Sequence, residues 1–101
     1  MSKVKLTDYV VEFLQKKGIH DFFGYQGTMI AHLVDSIEKN PHVRSHSSYH
    51  EQGAAFAACG YAQAKNACGC AYATSGPGAA NLLSGVADAY FDSLPVIFIT
   101  G

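Results

Sequence analysis

A single carboxylate, Glu51, opens a stretch that otherwise consists mainly of alanine, glycine and aromatic residues, HEQGAAFAACGYA at 50–62. Small apolar neighbours solvate a charge poorly, so the sequence predicts that the pKa of Glu51 is raised towards the working range of an acid or base. The simpler interpretation is a charge at a helix N-terminus, where the helix dipole stabilises a carboxylate by about 0.3–1 kcal/mol. The residue types alone leave both interpretations open.

A glycine-containing loop, ATSGPGAANLLSG at 73–85, follows a predicted strand and opens a predicted helix. Such a loop could hold the phosphates of a dinucleotide, but Gly76–Asn81 matches the GxGxxG pattern in two glycines and lacks the third. Pro77 also removes a backbone N–H donor, and the loop has no lysine for a Walker-type site. A nucleotide-binding oxidoreductase domain is therefore the weaker alternative.

Composition excludes several classes of function. The chain has 101 residues with 7 Lys+Arg and 8 Asp+Glu, and its net charge of -1 offers no basic surface for nucleic acid. Charged residues make up 15% and apolar types 49%, which predicts elements buried on several sides, some by a partner or by sequence outside this chain. The spacing of the 3 cysteines predicts neither a disulfide framework nor a metal site.

Hydropathy predicts no contact with a membrane, because no stretch approaches the roughly 18 apolar residues that a transmembrane helix needs. Residues 1–18, MSKVKLTDYVVEFLQKKG, show no apolar core or cleavage site of a leader peptide. On this basis the expected compartment is the cytoplasm.

Helical and strand-like patterns alternate along the chain. A first helix is predicted with Thr7 as its N-cap and Gly18 as its left-handed stop, and a second ends before Pro41. Alanine content favours a third helix at 50–65, in which Gly53 and Gly60 suggest that the helix backbone lies close to another group. A fourth is predicted at 79–91. The predicted strands are IHDFFGY at 19–25, VRSHSSY at 43–49, CGCAYAT at 68–74 and LPVIFIT at 94–100.

This alternation predicts an α/β fold with right-handed crossovers and a parallel sheet flanked by helices on both faces. Ligands of such sheets bind beyond the carboxyl ends of the strands. The candidate loops are therefore 24–28, 49–52 and 74–78, and Glu51 lies in the second of them.

Three motifs carry a family resemblance: FFGYQG at 22–27, HEQGAAFAACGYA at 50–62, and ATSGPGAANLLSGVADAYFDSLPVIFITG at 73–101. In this order and spacing they resemble the N-terminal pyrimidine-binding domain of thiamine diphosphate enzymes, nearest to the acetolactate synthase and pyruvate oxidase branch. The resemblance covers nearly the whole chain. It implies that residues 1–101 are the N-terminal part of this domain, with about four of its strands, in a longer polypeptide.

The resemblance also implies a chemical role for Glu51, whose carboxyl would bond the aminopyrimidine ring of thiamine diphosphate and favour its imino tautomer. The apolar wall would keep Glu51 protonated often enough to donate. The imino group then removes the thiazolium C2 proton, and the activated cofactor decarboxylates a 2-keto acid and passes the two-carbon or acyl unit to an acceptor. The residues matched to cofactor binding are Tyr25, Gln26, Gly27, Gly76, Pro77 and Asn81. Mg²⁺ would be bound by a domain absent from this chain, and flavin (FAD) binding is left open.

One loop departs from the family pattern. Acetolactate synthases usually have proline and two glycines after the aromatic residue, and here the positions hold Gln26, Gly27 and Thr28. This departure leaves the donor and acceptor open, with another keto acid or a sugar-derived substrate as alternatives.

The resemblance further implies a 2-keto acid substrate for the full-length enzyme, a homodimer or higher oligomer, and no activity for these residues alone. The alternative is a noncatalytic subunit or a truncated domain that only self-associates.

Overall fold

The computed structural model describes residues 3–101, so Met1 and Ser2 of the predicted domain lie outside it. Within this range, helices and strands alternate as the sequence predicts, and a short 3₁₀ turn at Thr28–Ile30 precedes the second helix. The helices are α1 (Leu6–Lys16), α2 (Ala31–Lys39), α3 (Glu51–Lys65) and α4 (Pro77–Phe91), and the strands are β1 (Asp21–Gly24), β2 (Arg44–Ser47), β3 (Gly69–Ala73) and β4 (Val96–Thr100).

The four strands form one parallel sheet in the order β2-β1-β3-β4. β2 is added on one side of β1, and β3 and β4 are then added on its other side. The direction in which strands are added to the sheet therefore reverses between β1 and β3. In a parallel sheet this reversal opens a crevice at the carboxyl ends of the two strands. The fold therefore places its natural ligand site next to the loops that follow Gly24 and Ala73.

The sheet carries a hydrophobic core on each face, as predicted. Because successive side chains of a strand point to opposite faces, Cys70 and Tyr72 face one core while Ala71 and Ala73 face the other. The first core contains Val11, Leu14, Phe22, Leu33 and Ile37, and the second contains Ala55, Ala58 and Leu82. Helices α1 and α2 cover the first face and α3 and α4 the second, which gives all three crossovers the same hand.

The beginning of α1 differs from the prediction. Lys5 is the N-cap residue and makes no side-chain capping bond, and Thr7 lies inside the helix. The Oγ1 of Thr7 is 2.7 Å from the Oγ of Ser36, which donates a hydrogen bond of 2.6 Å to Asp8. Thr7 therefore links α1 to α2. The predicted stop is confirmed, since Gly18 has a φ of 91°.

The closest helix contact in the second core joins α3 and α4. A Cβ added at Gly85 would lie 2.2 Å from the Cβ of Ala55, so only a glycine lets the helices approach this far. Gly53 and Gly60 were expected to mark such a contact, but an added Cβ at either meets no described atom within 4 Å. Within the described part of the chain neither glycine makes such a contact, because both lie on the exposed side of α3.

A polar cluster holds the edge strand β2 to β1. Asp21 is 4% exposed, and its carboxylate accepts hydrogen bonds from the Nε of Arg44 at 3.0 Å and from the Nε2 of His46 at 2.7 Å. Burial alone would raise the pKa of Asp21, but hydrogen bonds from Arg44, His46 and Tyr61 outweigh it and lower the pKa to about 2. The cluster therefore favours an ionised carboxylate within a nearly buried position.

No helix among residues 3–101 is both long and apolar enough to cross a bilayer. The same residues bring together no group of three or more histidine, cysteine, aspartate or glutamate side chains suited to a metal ion.

The Asp21 cluster predicts acid sensitivity. Because the folded pKa of about 2 lies below the ordinary 3.8, ionised Asp21 stabilises the fold above pH 4, and this is lost as the pH falls towards 2. We expect Asp21→Asn to lower the free energy of unfolding by about 1–2 kcal/mol at pH 7. This figure is reduced because solvent weakens the ion pair between Asp21 and the exposed Arg44. Urea unfolding at pH 7 and at pH 2–3 measures this, with Asp92→Asn on the exposed surface as the control. An equal effect at both pH values would contradict the interpretation.

The contact between α3 and α4 predicts opposite effects of the same substitution at two glycines. Gly85→Ala should destabilise the chain by about 1–3 kcal/mol through overpacking, although alanine is the better helix former. Gly60→Ala meets open space, and should stabilise the chain by about 0.5–1 kcal/mol. Urea unfolding of both variants tests this, and a stabilising Gly85→Ala would show that the helices are not held in close contact.

Candidate functional site

Glu51 is the first residue of α3, at the carboxyl end of β2. His50 precedes it in extended conformation (φ -150°, ψ 139°) and caps the helix, because its Nδ1 accepts a hydrogen bond of 3.1 Å from the backbone N–H of Gln52. Glu51 is 8% exposed, so the predicted burial of this carboxylate is confirmed. The carboxylate lies at the edge of the sheet where ligands of this fold class bind.

Two residues of α4 face the carboxylate. The Nδ2 of Asn81 donates a hydrogen bond of 3.0 Å to the Oε1 of Glu51. A Cβ added at Gly78 would lie 3.3 Å from Oε2, so the glycine lets the backbone of α4 lie close to this oxygen. One oxygen of Glu51 is thus held by an amide, and the other lies beside a glycine.

The Glu51–Asn81 bond belongs to a seam between α3 and α4. Ala55 lies one helical turn after Glu51, and Gly85 lies one turn after Asn81, so the hydrogen bond and the close Ala55–Gly85 contact are neighbours along the same interface. The Nε2 of Gln52 adds a bond of 2.9 Å to the Oγ of Ser84. The helix packing therefore fixes the position of the carboxylate.

The prediction of a raised pKa for Glu51 is wrong. The hydrogen bond from Asn81 stabilises the charged form and lowers the pKa of Glu51, and burial opposes it. A hydrogen bond from its own backbone N–H and the nearby His50 lower the pKa further. Sequence reasoning considered the small apolar neighbours on α3, but the deciding donor is an amide on another helix. In this structure Glu51 is an ionised carboxylate at neutral pH.

Thr74 connects the loop after β1 to the wall around Glu51, and sequence analysis did not select it as a site residue. A Cβ at Gly27 would lie 2.4 Å from the Cβ of Thr74, and one at Gly78 would lie 2.8 Å from its Cγ2. The Oγ1 of Thr74 also accepts a bond of 3.3 Å from the backbone N–H of Met29. Its position directly after β3, at the winding reversal, was the only sequence signal available.

The other residues matched to cofactor binding lie around this centre. Gly76 has a φ of 71° and Pro77 is the first residue of α4, so together they form the turn that presents Gly78. Tyr25 and Gln26 line a groove of about 290 Å³ that also includes Tyr49, and Glu51 is not among its lining residues. The structure thus joins Glu51, Asn81 and the glycine-proline turn directly, and joins Gly27 to them through Thr74.

Sequence comparison finds close relatives among plant enzymes. The chain is 46% identical over 101 residues to "Probable acetolactate synthase 2, chloroplastic" of Oryza sativa subsp. japonica, covering 100% of the chain and 15% of the rice protein. It is 44% identical over 97 residues to "Acetolactate synthase 1, chloroplastic" of Zea mays, covering 96% of the chain and 15% of the maize protein. It is 42% identical over 97 residues to "Acetolactate synthase, chloroplastic" of Arabidopsis thaliana, covering 96% and 14%.

These names correct the expected location. All three relatives are called chloroplastic, which contradicts the expectation of a cytoplasmic protein. That expectation used the absence of a leader peptide in residues 1–18. A chain that spans about 15% of its relatives' length does not show what precedes it in a longer protein.

The model of a protein family, "Thiamine pyrophosphate enzyme, N-terminal TPP binding domain", matches residues 4–101. Thiamine pyrophosphate is another name for thiamine diphosphate. The match covers almost all of the chain and agrees with the parallel α/β fold and the sequence motifs, and we conclude that the chain belongs to this family of thiamine diphosphate enzymes.

Proposed function

We propose that the chain is the N-terminal part of the pyrimidine-binding domain of a thiamine diphosphate enzyme, and that Glu51 binds the aminopyrimidine ring. The full-length protein would decarboxylate a 2-keto acid and transfer the acyl or two-carbon unit to an acceptor. The observation that supports this most strongly is the arrangement of Glu51, with one oxygen held by Asn81 and the other beside Gly78.

The residues present fit an aminopyrimidine ring. A flat heterocycle needs a hydrogen-bonding group for its ring nitrogen and a wall without a projecting side chain, and Glu51 and Gly78 offer these. Asn81 holds the carboxylate through Oε1, so that Oε2 stays beside Gly78. We propose that Gly76 and Pro77 contact the same ring through the turn that they form.

When bound, thiamine diphosphate supplies the electron sink needed to break the bond between a keto acid's carbonyl carbon and its carboxylate. The task of Glu51 is to hold a proton at a ring nitrogen. Its lowered pKa means that the carboxylate is ionised before the ring arrives, so it must take up a proton in order to donate. Exclusion of water by the ring favours this uptake, because desolvation disfavours the charged form.

Other parts of the proposed enzyme lie outside this chain. We propose that Mg²⁺ and the diphosphate are bound elsewhere in the full-length protein, and that residues 3–101 alone are inactive. Self-association is supported by the outer face of α4, where Leu83, Tyr90 and Phe91 are 63%, 79% and 80% exposed. Large apolar residues grouped on one helix usually mark an interface, so we propose a homodimer or higher oligomer.

The proton requirement predicts a calorimetric signature in the full-length protein. Binding of thiamine diphosphate at pH 7 should take up about one proton more in the wild type than in Glu51→Gln, because the variant has no carboxylate to protonate. Titration calorimetry in buffers of different ionisation enthalpy measures the uptake. Turnover of a 2-keto acid by Glu51→Gln should fall at least tenfold.

Glu12→Gln on the exposed surface of α1 is the matched control and should behave as the wild type. Equal proton uptake in Glu51→Gln and wild type, or activity within tenfold of wild type, would refute the proposed role of Glu51.

The close approach of Gly78 to Glu51 predicts that one added methyl group weakens cofactor binding. Gly78→Ala would place a Cβ 3.3 Å from the Oε2 of Glu51 and 2.8 Å from the Cγ2 of Thr74. We expect its affinity for thiamine diphosphate to fall about tenfold, a loss of about 1.4 kcal/mol. Gly53→Ala, whose Cβ meets no described atom within 4 Å, is the control. Unchanged affinity in Gly78→Ala would show that the ring binds elsewhere.

A further inference from the structure

The edge strand β2, which leads into Glu51, has no apolar side chain to hold it in the sheet. Its sequence over Arg44–Ser47 is RSHS, and all four residues are exposed or half-buried. A polar strand at the edge of a sheet specifies its own register weakly, because no buried side of the strand is lost when it shifts. Three residues separate β2 from Glu51, so the position of the strand limits where the carboxylate can lie.

Polar side-chain contacts hold β2 on both faces of the sheet. On one face, the Nε2 of His46 donates a hydrogen bond of 2.7 Å to the Oδ1 of Asp21, beside the bond from Arg44. On the other face, the Oγ of Ser45 lies 3.3 Å from the hydroxyl oxygen of Tyr72, a buried residue of β3. These contacts replace the apolar packing that usually sets the register of a strand.

His46 also connects β2 to α3 through the ring of Phe23. The imidazole stacks on Phe23 of β1, with ring centroids 4.7 Å apart and 17° between the ring planes. Phe23 also contacts Tyr61 of α3, with centroids 5.7 Å apart and 56° between the planes. One side chain of β1 therefore contacts both the strand that precedes Glu51 and the helix that begins with it.

The position of Glu51 is thus restrained from two directions. Asn81 holds the carboxylate from α4, and the contacts of His46 hold the strand through which the chain enters the site. A hydrogen bond to a ligand depends steeply on distance and angle. In an active site, a displacement of about 1 Å can lower a rate about 100-fold. A shift of β2 that is small for the fold would therefore be large for the chemistry.

We propose that His46 is a positioning residue for Glu51, because it holds β2 against Asp21 and Phe23. This inference rests on the proposed function. His46 acts through the backbone of residues 47–50 and does not touch the cofactor or the substrate. Its side chain is 43% exposed, and an exposed pair of this kind adds little to the free energy of unfolding. Its main effect is on the place of the carboxylate.

The simpler interpretation is that His46 only stabilises the fold. Replacement of His46 would then lower the free energy of unfolding and leave cofactor binding by the folded protein unchanged. If His46 acts through Glu51, its replacement weakens cofactor binding only while the Glu51 carboxylate is present. A double-mutant cycle separates these two cases, because residues that act through each other are not additive.

The test is the affinity of the full-length protein for thiamine diphosphate, measured by titration calorimetry at pH 7. We expect His46→Leu to weaken binding at least fivefold in the wild type and less than twofold in Glu51→Ala, which has no carboxylate to position. Proton uptake on binding should fall towards that of Glu51→Ala. His42→Leu, which replaces an exposed histidine two residues before β2, is the matched control and should bind as the wild type.

A conservative variant tests the hydrogen bond itself. His46→Gln keeps an N–H donor for Asp21, so it should bind thiamine diphosphate within twofold of the wild type. Urea unfolding shows whether each variant is folded under the conditions of the titration.

Equal weakening by His46→Leu in the wild type and in Glu51→Ala, or no weakening in the wild type, overturns the inference and leaves the proposed function standing. The inference is also overturned if His46→Gln binds as weakly as His46→Leu, or if His46→Leu does not fold, since a purely structural role explains either result. Failure of the wild type to bind thiamine diphosphate overturns the proposed function instead.

Discussion

The close packing of α3 against α4 is the constraint on which the candidate site depends. Gly85 lets the helices approach until its position meets Ala55, and one turn earlier on both helices the same approach brings Asn81 to Glu51. A larger side chain at the contact would separate the helix starts, and a hydrogen bond of 3.0 Å leaves little room for separation. The stability of a core contact and the geometry of the Glu51 carboxylate therefore depend on the same packing of one helix pair.

Two carboxylates in the described part of the chain, Asp21 and Glu51, are nearly buried, and they differ in their hydrogen-bond partners. Asp21 is paired with a guanidinium, an imidazole and a phenol at the edge of the sheet, and these groups hold it in its ionised form. Glu51 has no cationic guanidinium beside it, and its donors are the amide of Asn81 and its own backbone N–H. A carboxylate that is to exchange a proton with a ligand must not be held too strongly in its ionised form. This contrast supports the proposal that Glu51, and not Asp21, exchanges a proton with a ligand.

The fold was largely predictable because its signals are local. The alternation of apolar strands with amphipathic or alanine-rich helices, the stop at Gly18 and the block at Pro41 each depend on a few adjacent residues. The errors concern contacts between distant residues. The donor that lowers the pKa of Glu51 is 30 positions away, and Thr7 bonds Ser36 at a separation of 29. The close contact between helices lies at Gly85 and not at Gly53 or Gly60. The sequence does not show this, because tertiary packing decides which face of a helix contacts its neighbour.

Thr74 joins two loops through contacts that leave no room for a side chain at Gly27 or Gly78. Neither glycine can donate, accept or carry a charge through a side chain, yet each sets how near a polar group can come to its neighbour. In a comprehensive survey of single substitutions, these two positions would show the narrow tolerance usually associated with reactive groups. The intolerance would extend even to alanine, so a ranking of importance by chemical reactivity alone would overlook both of them.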